Sequence, residues 1–271
     1  MIPLSITILT RNEERVLERC LKSASWADEI VVIDAMSTDR TKEIATKSSA
    51  PWSGKLKWIE RPWSGFKDQR NHALKCASHE WILCLDSDEE CSEELRKRVL
   101  ELLSSVGGPP KRAYKVRRQE YFLGKRIQYG IWNPSYQDRF FHKKGVYYVN
   151  DVHEYPIFES LPDRIHEPIY HDPTFNPDRF LHKMNLYTTI EAQDRINRGQ
   201  RTSIFKLFFA FPAMFLKNYF YYKAYRDGVH GFVISLLEGV SRVVRHIKMW
   251  RIQSQARAEI ALVQRTTSKD A

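Results

Sequence analysis

The first hundred residues alternate between short apolar runs and segments of helical period, and that rhythm restricts the chain to one broad class of fold. Leu4–Thr10 is an apolar β-branched run, Glu29–Asp34 is of buried-strand type, and Leu56–Glu60 and Trp81–Asp86 read as a third and a fourth strand. Between them, Glu13–Ser25 carries apolar residues at Val16, Leu17, Cys20 and Leu21, which predicts a helix. Ser37-Thr38-Asp39 offers caps to a helix running through Ser48, Lys67–Ala77 reads as a third helix, and Ser92–Ser105 as a fourth with Glu93 and Glu94 in its first turn. Strands separated by helices pair in parallel through right-handed crossovers, so an α/β, Rossmann-like doubly wound sheet is expected.

Gly107-Gly108-Pro109-Pro110 ends the rhythm. Ala113–Arg118, Tyr136–His142 and Gly145–Asn150 are strand-like without helical partners, and are expected to extend the sheet in antiparallel fashion. His171–Asp178, with Pro173 and Pro177, reads as a boundary, beyond which Arg179–Arg198, Thr202–Arg226 and Gly228–Gln264 read as helices. The expected organisation is therefore an α/β domain over 1–178 and a helical region over 179–271.

The four cysteines form no CxxC pair, and three lie in apolar-periodic stretches, as suits buried thiols in a reducing compartment. Met1 leads into an apolar run with no basic segment before it, so the cytoplasm is the expected location. Charge is uneven: residues 179–271 hold 16 Lys and Arg against 6 Asp and Glu, so the whole formal +10 belongs to that third. A basic segment suits anionic lipid or nucleic acid.

Ligands of open α/β sheets bind at the carboxyl edge of the strands. Three of the four strands end there in polar groups: Thr10-Arg11-Asn12-Glu13, Asp34, and Asp86-Ser87-Asp88. Carboxylates at i and i+2 beyond a strand end can converge on one hard cation, Mg²⁺ or Mn²⁺, which would bridge a diphosphate and act as a Lewis acid; the bland alternative is a solvated acidic loop continued by Glu89 and Glu90. No GxxxxGK[ST] or GxGxxG loop is present, which disfavours a P-loop ATPase and a conventional dinucleotide enzyme.

The runs ITILTRNEE, EIVVIDAMSTDRT, GFKDQRNHAL and WILCLDSDE resemble inverting family 2 glycosyltransferases of the GT-A fold. YFLGKRIQYGIW, YQDRFF and NDVHE resemble the branch that adds β-1,4-linked glucose to heptose of the lipopolysaccharide inner core. That resemblance implies that Thr10, Arg11, Asn12 and Glu13 line a nucleotide pocket, that Asp34 accepts from uracil or ribose, and that Arg70 beside Gln69 approaches the donor. It implies further that Asp86 faces ribose and metal while Asp88 coordinates the metal. Relatives usually carry Asp-Ser-Gly-Ser after the second strand; here it is Asp34-Ala35-Met36-Ser37, which puts Ser37 in doubt as a contact.

An inverting transfer needs a base for the acceptor hydroxyl. Glu154 is the first candidate and Asp151 its rival, with neutral His153 a further metal or diphosphate ligand. Strand alternation would point 153 and 154 to opposite faces, so a turn is needed for both to serve one site. Gln137 and Arg139 would clamp diphosphate or acceptor. The remaining histidines, His171 among them, read as structural.

Ile204–Tyr225 is aromatic and apolar, but its longest uncharged run, Leu207–Leu216, is too short to span a bilayer. An interfacial helix with snorkelling lysines fits better, kinked at Pro212, against a packed helical subdomain as the alternative. The expected partners are a UDP-sugar, a lipid-linked saccharide acceptor and anionic lipid at the inner face of the cytoplasmic membrane, with nucleic acid not expected for want of a binding module. Two competing functions stand beside glycosyl transfer. One is a nucleotidyltransferase, which would want a Gly-rich loop after the first strand; the other is a non-enzymatic basic scaffold for lipid or nucleic acid.

Overall fold

The computed structural model describes residues 1–150, 154–172 and 177–267. The chain divides into two compact units, 1–126 with 132–174, and 127–131 with 175–271.

In the first unit, β1 (Leu4–Thr10), β2 (Glu29–Asp34), β3 (Leu56–Glu60) and β4 (Trp81–Asp86) have the bounds that their apolar runs predict. They pair in parallel in the order β3-β2-β1-β4. The helices are shorter than expected: α1 is Leu17–Ala24 and α2 only Thr41–Ala45. Residues ahead of each helix are spent on turn bonds, Thr41 N–H donating to Asp39 and Glu13 N–H to the Thr41 hydroxyl. The helix α3 (Phe66–Cys76) follows Gly65 at φ +97°, and α4 (Glu93–Ser104) is capped by the Ser92 hydroxyl, which accepts from Leu95 N–H at 3.0 Å.

Side-chain alternation along the strands supplies two cores. Leu4, Ile6, Ile8, Ile30, Val32, Leu83 and Leu85 pack with Leu17, Cys20 and Leu21 of α1 and Leu95, Val99 and Leu102 of α4. Val31, Ile33, Ile82 and Cys84 pack on the other face with Ala73 and Leu74 of α3 and with Tyr148. All four cysteines are free, and Cys20, Cys84 and Cys91 are buried, as expected of small apolar thiols.

Beyond β4 the sheet continues through β5 (Glu89–Cys91), β6 (Ala113–Phe122), β7 (Lys125–Arg126), β8 (Ser135–His142) and β11 (Asp163–His171). The full order is β3-β2-β1-β4-β8-β6-β11-β5, with β7 on β6. The expected antiparallel extension holds for β8 against β4 and β6. The strand β11 is parallel to β6, with a register shift between Ile165 and Pro168. Pro168 cannot donate to a ladder, which hides this strand from pattern reading. A separate hairpin pairs β9 (Tyr147–Val149) with β10 (Tyr155–Ile157). The whole is the GT-A arrangement that the resemblance implied, a mixed sheet with flanking helices.

The second unit contains α5 (Pro177–Asn197), α6 (Ile204–Leu216) and α7 (Val229–Thr267). The single helix expected over Thr202–Arg226 is three elements. The helix α6 continues past Pro212, a π-helical turn covers Lys217–Tyr221, and a 3₁₀ turn covers Ala224–Asp227 after Lys223 at φ +60°. The π turn directs Asn218 inward, where its amide donates to Ser235 at 2.9 Å and accepts from Ile131 N–H at 2.7 Å. Asp227 accepts from Tyr129 N–H at 2.8 Å, so the 127–131 segment is bound at both ends of the irregular stretch. No helix among the described residues is long and apolar enough to cross a membrane.

Candidate active site

Register brings the strand-terminal polar groups to one edge. Thr10 is opposite Asp34, and Leu9 opposite Asp86, so β1 separates the two aspartates by two strand spacings, about 10 Å. Asp88 follows on the turn between β4 and β5 and is 9% exposed.

On the β1–β2 side, the loops knit together through Asn12 at φ +54°, a conformation asparagine tolerates. Its Oδ1 accepts from Thr38 N–H at 2.8 Å, and its own N–H donates to Ser37 Oγ at 2.8 Å. Asp34, 1% exposed, accepts from the Ser37 N–H at 2.9 Å and from the Ser37 hydroxyl. Met36 sits at φ +59°, in the left-handed region that a glycine occupies without strain. Ser37 is committed to Asp34 and Asn12. Arg11 is exposed, Glu13 is buried, and the buried Thr10 hydroxyl has no hydrogen-bond partner among the described residues.

On the β4 side, Asp86 is held by two guanidiniums. Arg70 from α3 donates to Oδ1 at 2.7 Å, and Arg139 from β8 donates to Oδ2. Burial opposes ionisation of Asp86, but Arg139 and Arg70 outweigh it and hold the carboxyl far below the usual range. Arg70 also reaches Glu154 Oε1 at 3.4 Å and lies over the Tyr148 ring, 5.6 Å from its centre. Asn71 fixes Tyr148 by bonding its carbonyl at 3.0 Å and its N–H at 2.8 Å. These groups line a pocket of about 170 Å³ that also takes in Arg118, Gln137, Asp138 and Pro156. Sites that enclose a whole ligand are usually about 300–1,000 Å³, so this one fits part of one.

The pocket belongs to a longer chain of alternating charges. Glu89 is fully buried; its Oε1 accepts from Arg139 at 2.6 Å and faces Arg118 at 3.7 Å, while its Oε2 accepts from Asp86 N–H at 3.0 Å. Burial pushes its carboxyl up against the pull of Arg139. Arg118 then bonds Glu120 at 2.6 Å, Glu120 bonds His171 Nδ1, and His171 Nε2 faces Asp88 Oδ2 at 3.5 Å. Burial works against the His171 proton, but the bonds to Asp88 and Glu120 prevail and raise its pKa to about 10. The path from Asp88 to Glu154 thus runs through nine side chains without a break.

The expected site residues divide accordingly. Arg70, Asp86, Gln137, Arg139 and Glu154 share one pocket, and Asp88 joins it through the ion-pair chain. Gln69, 1% exposed, turns away and bonds the Pro62 carbonyl at 2.9 Å and Arg61 Nη1 at 3.2 Å, holding the β3–α3 loop. Asp151 and His153 lie outside the described residues. Glu154 precedes β10 outside any strand, so strand alternation does not govern it. Reading Glu89 as part of a solvated loop is corrected: it is strand β5 and wholly buried. Arg118, Glu120 and His171 had no local signal beyond a polar residue in a strand; only the β6–β11 register, which pairs Glu120 with His171, assembles them.

Among the described residues, no group of three or more His, Cys, Asp or Glu side chains is placed to hold a metal ion. Mg²⁺ commonly uses one or two carboxylates plus substrate phosphates, so the hard oxygen donors Asp86 and Asp88 fit an ion that arrives with a diphosphate.

The family model Glycosyl transferase family 2 matches residues 5–154, more than half the chain. LpsC, a lipopolysaccharide core biosynthesis glycosyltransferase of Rhizobium meliloti, is 29% identical over 262 residues, covering 92% of this chain and 93% of its own length. A glycosyltransferase of Rickettsia typhi is 27% identical over 272 residues, with 96% and 91% covered. Among solved structures, residues 1–349 of TarS from Staphylococcus aureus with UDP-GlcNAc are similar over 89% of this chain and 82% of that one, at a TM-score of 0.45 and 16% identity, too distant to carry chemistry across. The match over both the β1–β4 edge and the Glu154 segment settles the family: this chain belongs to glycosyl transferase family 2.

Proposed function

We propose that the chain transfers glucose from UDP-glucose to a heptose of a lipopolysaccharide core, with inversion at the anomeric carbon. One observation carries this reading: Asp86, at the end of β4, is clamped by Arg70 and Arg139, and the same Arg70 holds Glu154. Similarity to LpsC supports the acceptor class.

In this reading Thr10, Arg11, Asn12, Glu13 and Asp34 hold the nucleotide. Arg70 and Arg139 exchange Asp86 for diphosphate oxygens, to which their planar forks are suited. Glu154, positioned by Arg70, takes the proton of the acceptor hydroxyl. The new C1–O bond forms as the bond from C1 to the diphosphate breaks, and UDP leaves with the electron pair. Asp88, assisted by Asp86, would hold Mg²⁺ or Mn²⁺, which when bound offsets negative charge on the diphosphate. Asp151 and His153 stay candidates as a second base and a further ligand. The 1–178 segment is proposed as the catalytic part. The 179–271 segment is proposed to rest on anionic lipid at the inner face of the cytoplasmic membrane, through the exposed aromatics of α6.

A donor-hydrolysis screen over UDP- and GDP-sugars, each with Mg²⁺, Mn²⁺ or EDTA, tests it. UDP-glucose with metal is expected to turn over fastest and release UDP. Release of pyrophosphate, or preference for a GDP-sugar, would overturn the assignment.

A further inference from the structure

In the second unit, α5, α6 and α7 line an open-sided pocket of about 600 Å³ whose wall is strongly cationic. Arg195, Arg201, Lys206, Lys217, Arg242 and Arg245 line it, with Met214 and Met249 among its apolar residues, and no Asp or Glu does. Of these six cations, only Arg245 forms an ion pair among the described residues, to Glu191 at 2.9 Å. Arg245 is 5% exposed, and its Nε, shut from solvent, has no hydrogen-bond partner there. The pKa of His246, also in the wall, is pushed down by burial first and then by Arg245, Arg195, Arg242 and Lys206.

Like charges that line one open-sided pocket repel one another, and a bound anion lowers that cost. The sequence of α6 adds a second requirement. Lys206, Ala210, Ala213, Met214 and Lys217 lie on the face that lines the pocket. On the adjoining face Phe205, Phe208, Phe209 and Leu216 are each more than half exposed. Phe209 belongs to both. Charge in the pocket and an open apolar strip at its rim together select an amphiphile rather than a simple ion.

We propose that this pocket binds the phosphate of an anionic lipid, whose acyl portion lies against the α6 aromatics. The site deepens the lipid contact proposed above for this segment and rests on that reading, but does not depend on the transfer chemistry. Its ligand chemistry, a phosphate ester, is shared with free phosphate, and the test separates them.

The full-length protein is titrated by calorimetry with dihexanoyl phosphatidic acid below its micelle threshold, dihexanoyl phosphatidylcholine, and inorganic phosphate. Wild type is compared with the double variant Arg201→Ala/Arg242→Ala and with a charge-matched control, Lys183→Ala/Arg198→Ala, on exposed parts of the same unit. Phosphatidic acid is expected to bind wild type and the control alike, and the pocket variant about thirtyfold more weakly. Phosphatidylcholine and inorganic phosphate are expected to bind far more weakly than phosphatidic acid. Equal losses in both double variants would reduce the effect to net charge and overturn the site. Inorganic phosphate binding as tightly as the lipid would overturn the lipid. Circular dichroism confirms that the variants fold, and unchanged UDP-glucose hydrolysis in the pocket variant separates this outcome from failure of the catalytic assignment.

Discussion

Arg139→Met removes the cation that bridges Asp86 and Glu89 while keeping much of the buried stem. Glu89 has no solvent access, and its other cation, Arg118, is 3.7 Å away; Asp86 keeps Arg70 at 2.7 Å. Breaking a buried pair from one side costs about 3–5 kcal/mol, because the remaining charge must be neutralised or left unpaired. Against a total stability of roughly 5–15 kcal/mol, that is a large loss. Glu89→Gln leaves an acceptor for Asp86 N–H and removes the stranded charge, so adding it to Arg139→Met is expected to restore about 1–3 kcal/mol. Urea unfolding of the four proteins, read by tryptophan fluorescence, closes the cycle; Trp81 stacks on Phe140, next to the altered residue, at 4.9 Å. A loss under about 1 kcal/mol for Arg139→Met, or no coupling to Glu89→Gln, would refute the claim that these charges act as a buried network.

Met36→Gly is expected to stabilise by up to about 1 kcal/mol, relief of the left-handed backbone exceeding glycine's entropy cost, whereas Met36→Val should destabilise by about 1 kcal/mol or more; thermal melts distinguish them. Because His171 is raised from 6.5 to about 10, its stabilisation is complete below about pH 6.5 and is lost as pH climbs through 10. In EDTA this amounts to roughly 3–5 kcal/mol, and His171→Gln should flatten that slope in urea midpoints across pH 6.5–10. Glu154→Gln should lower transfer by about 10²–10⁴-fold while UDP affinity stays within a few-fold, as a kinetic and calorimetric comparison would show.

The β1, β2 and β4 framework was legible because these strands are buried on both faces and read as largely apolar runs, with a terminal polar residue marking the functional edge, while β3 is an edge strand with partly exposed residues. Asp34, Asp86 and Asp88 could be found that way, whereas Arg70, on the helix after the Gly65 turn, was pointed to only by the family resemblance. Glu89 could not, since a three-residue strand carries too short a period to separate buried from solvated. His171 and Glu120 meet only through a parallel ladder between strands about fifty residues apart, interrupted at Pro168, and no local pattern encodes that register. The π turn at Lys217–Tyr221 was hidden for a different reason: its aromatic residues suit a continuous helix, and the inward bonds of Asn218 that favour the irregular turn are tertiary.

Calorimetric titration of UDP into wild type and Asp88→Ala, with Mn²⁺ and with EDTA, probes the edge most directly. Wild type should bind UDP far more tightly with Mn²⁺ than with EDTA, and Asp88→Ala should lose that difference while its circular dichroism stays native. UDP binding that ignores both the metal and the substitution would contradict a nucleotide site built on the carboxyl ends of β1, β2 and β4.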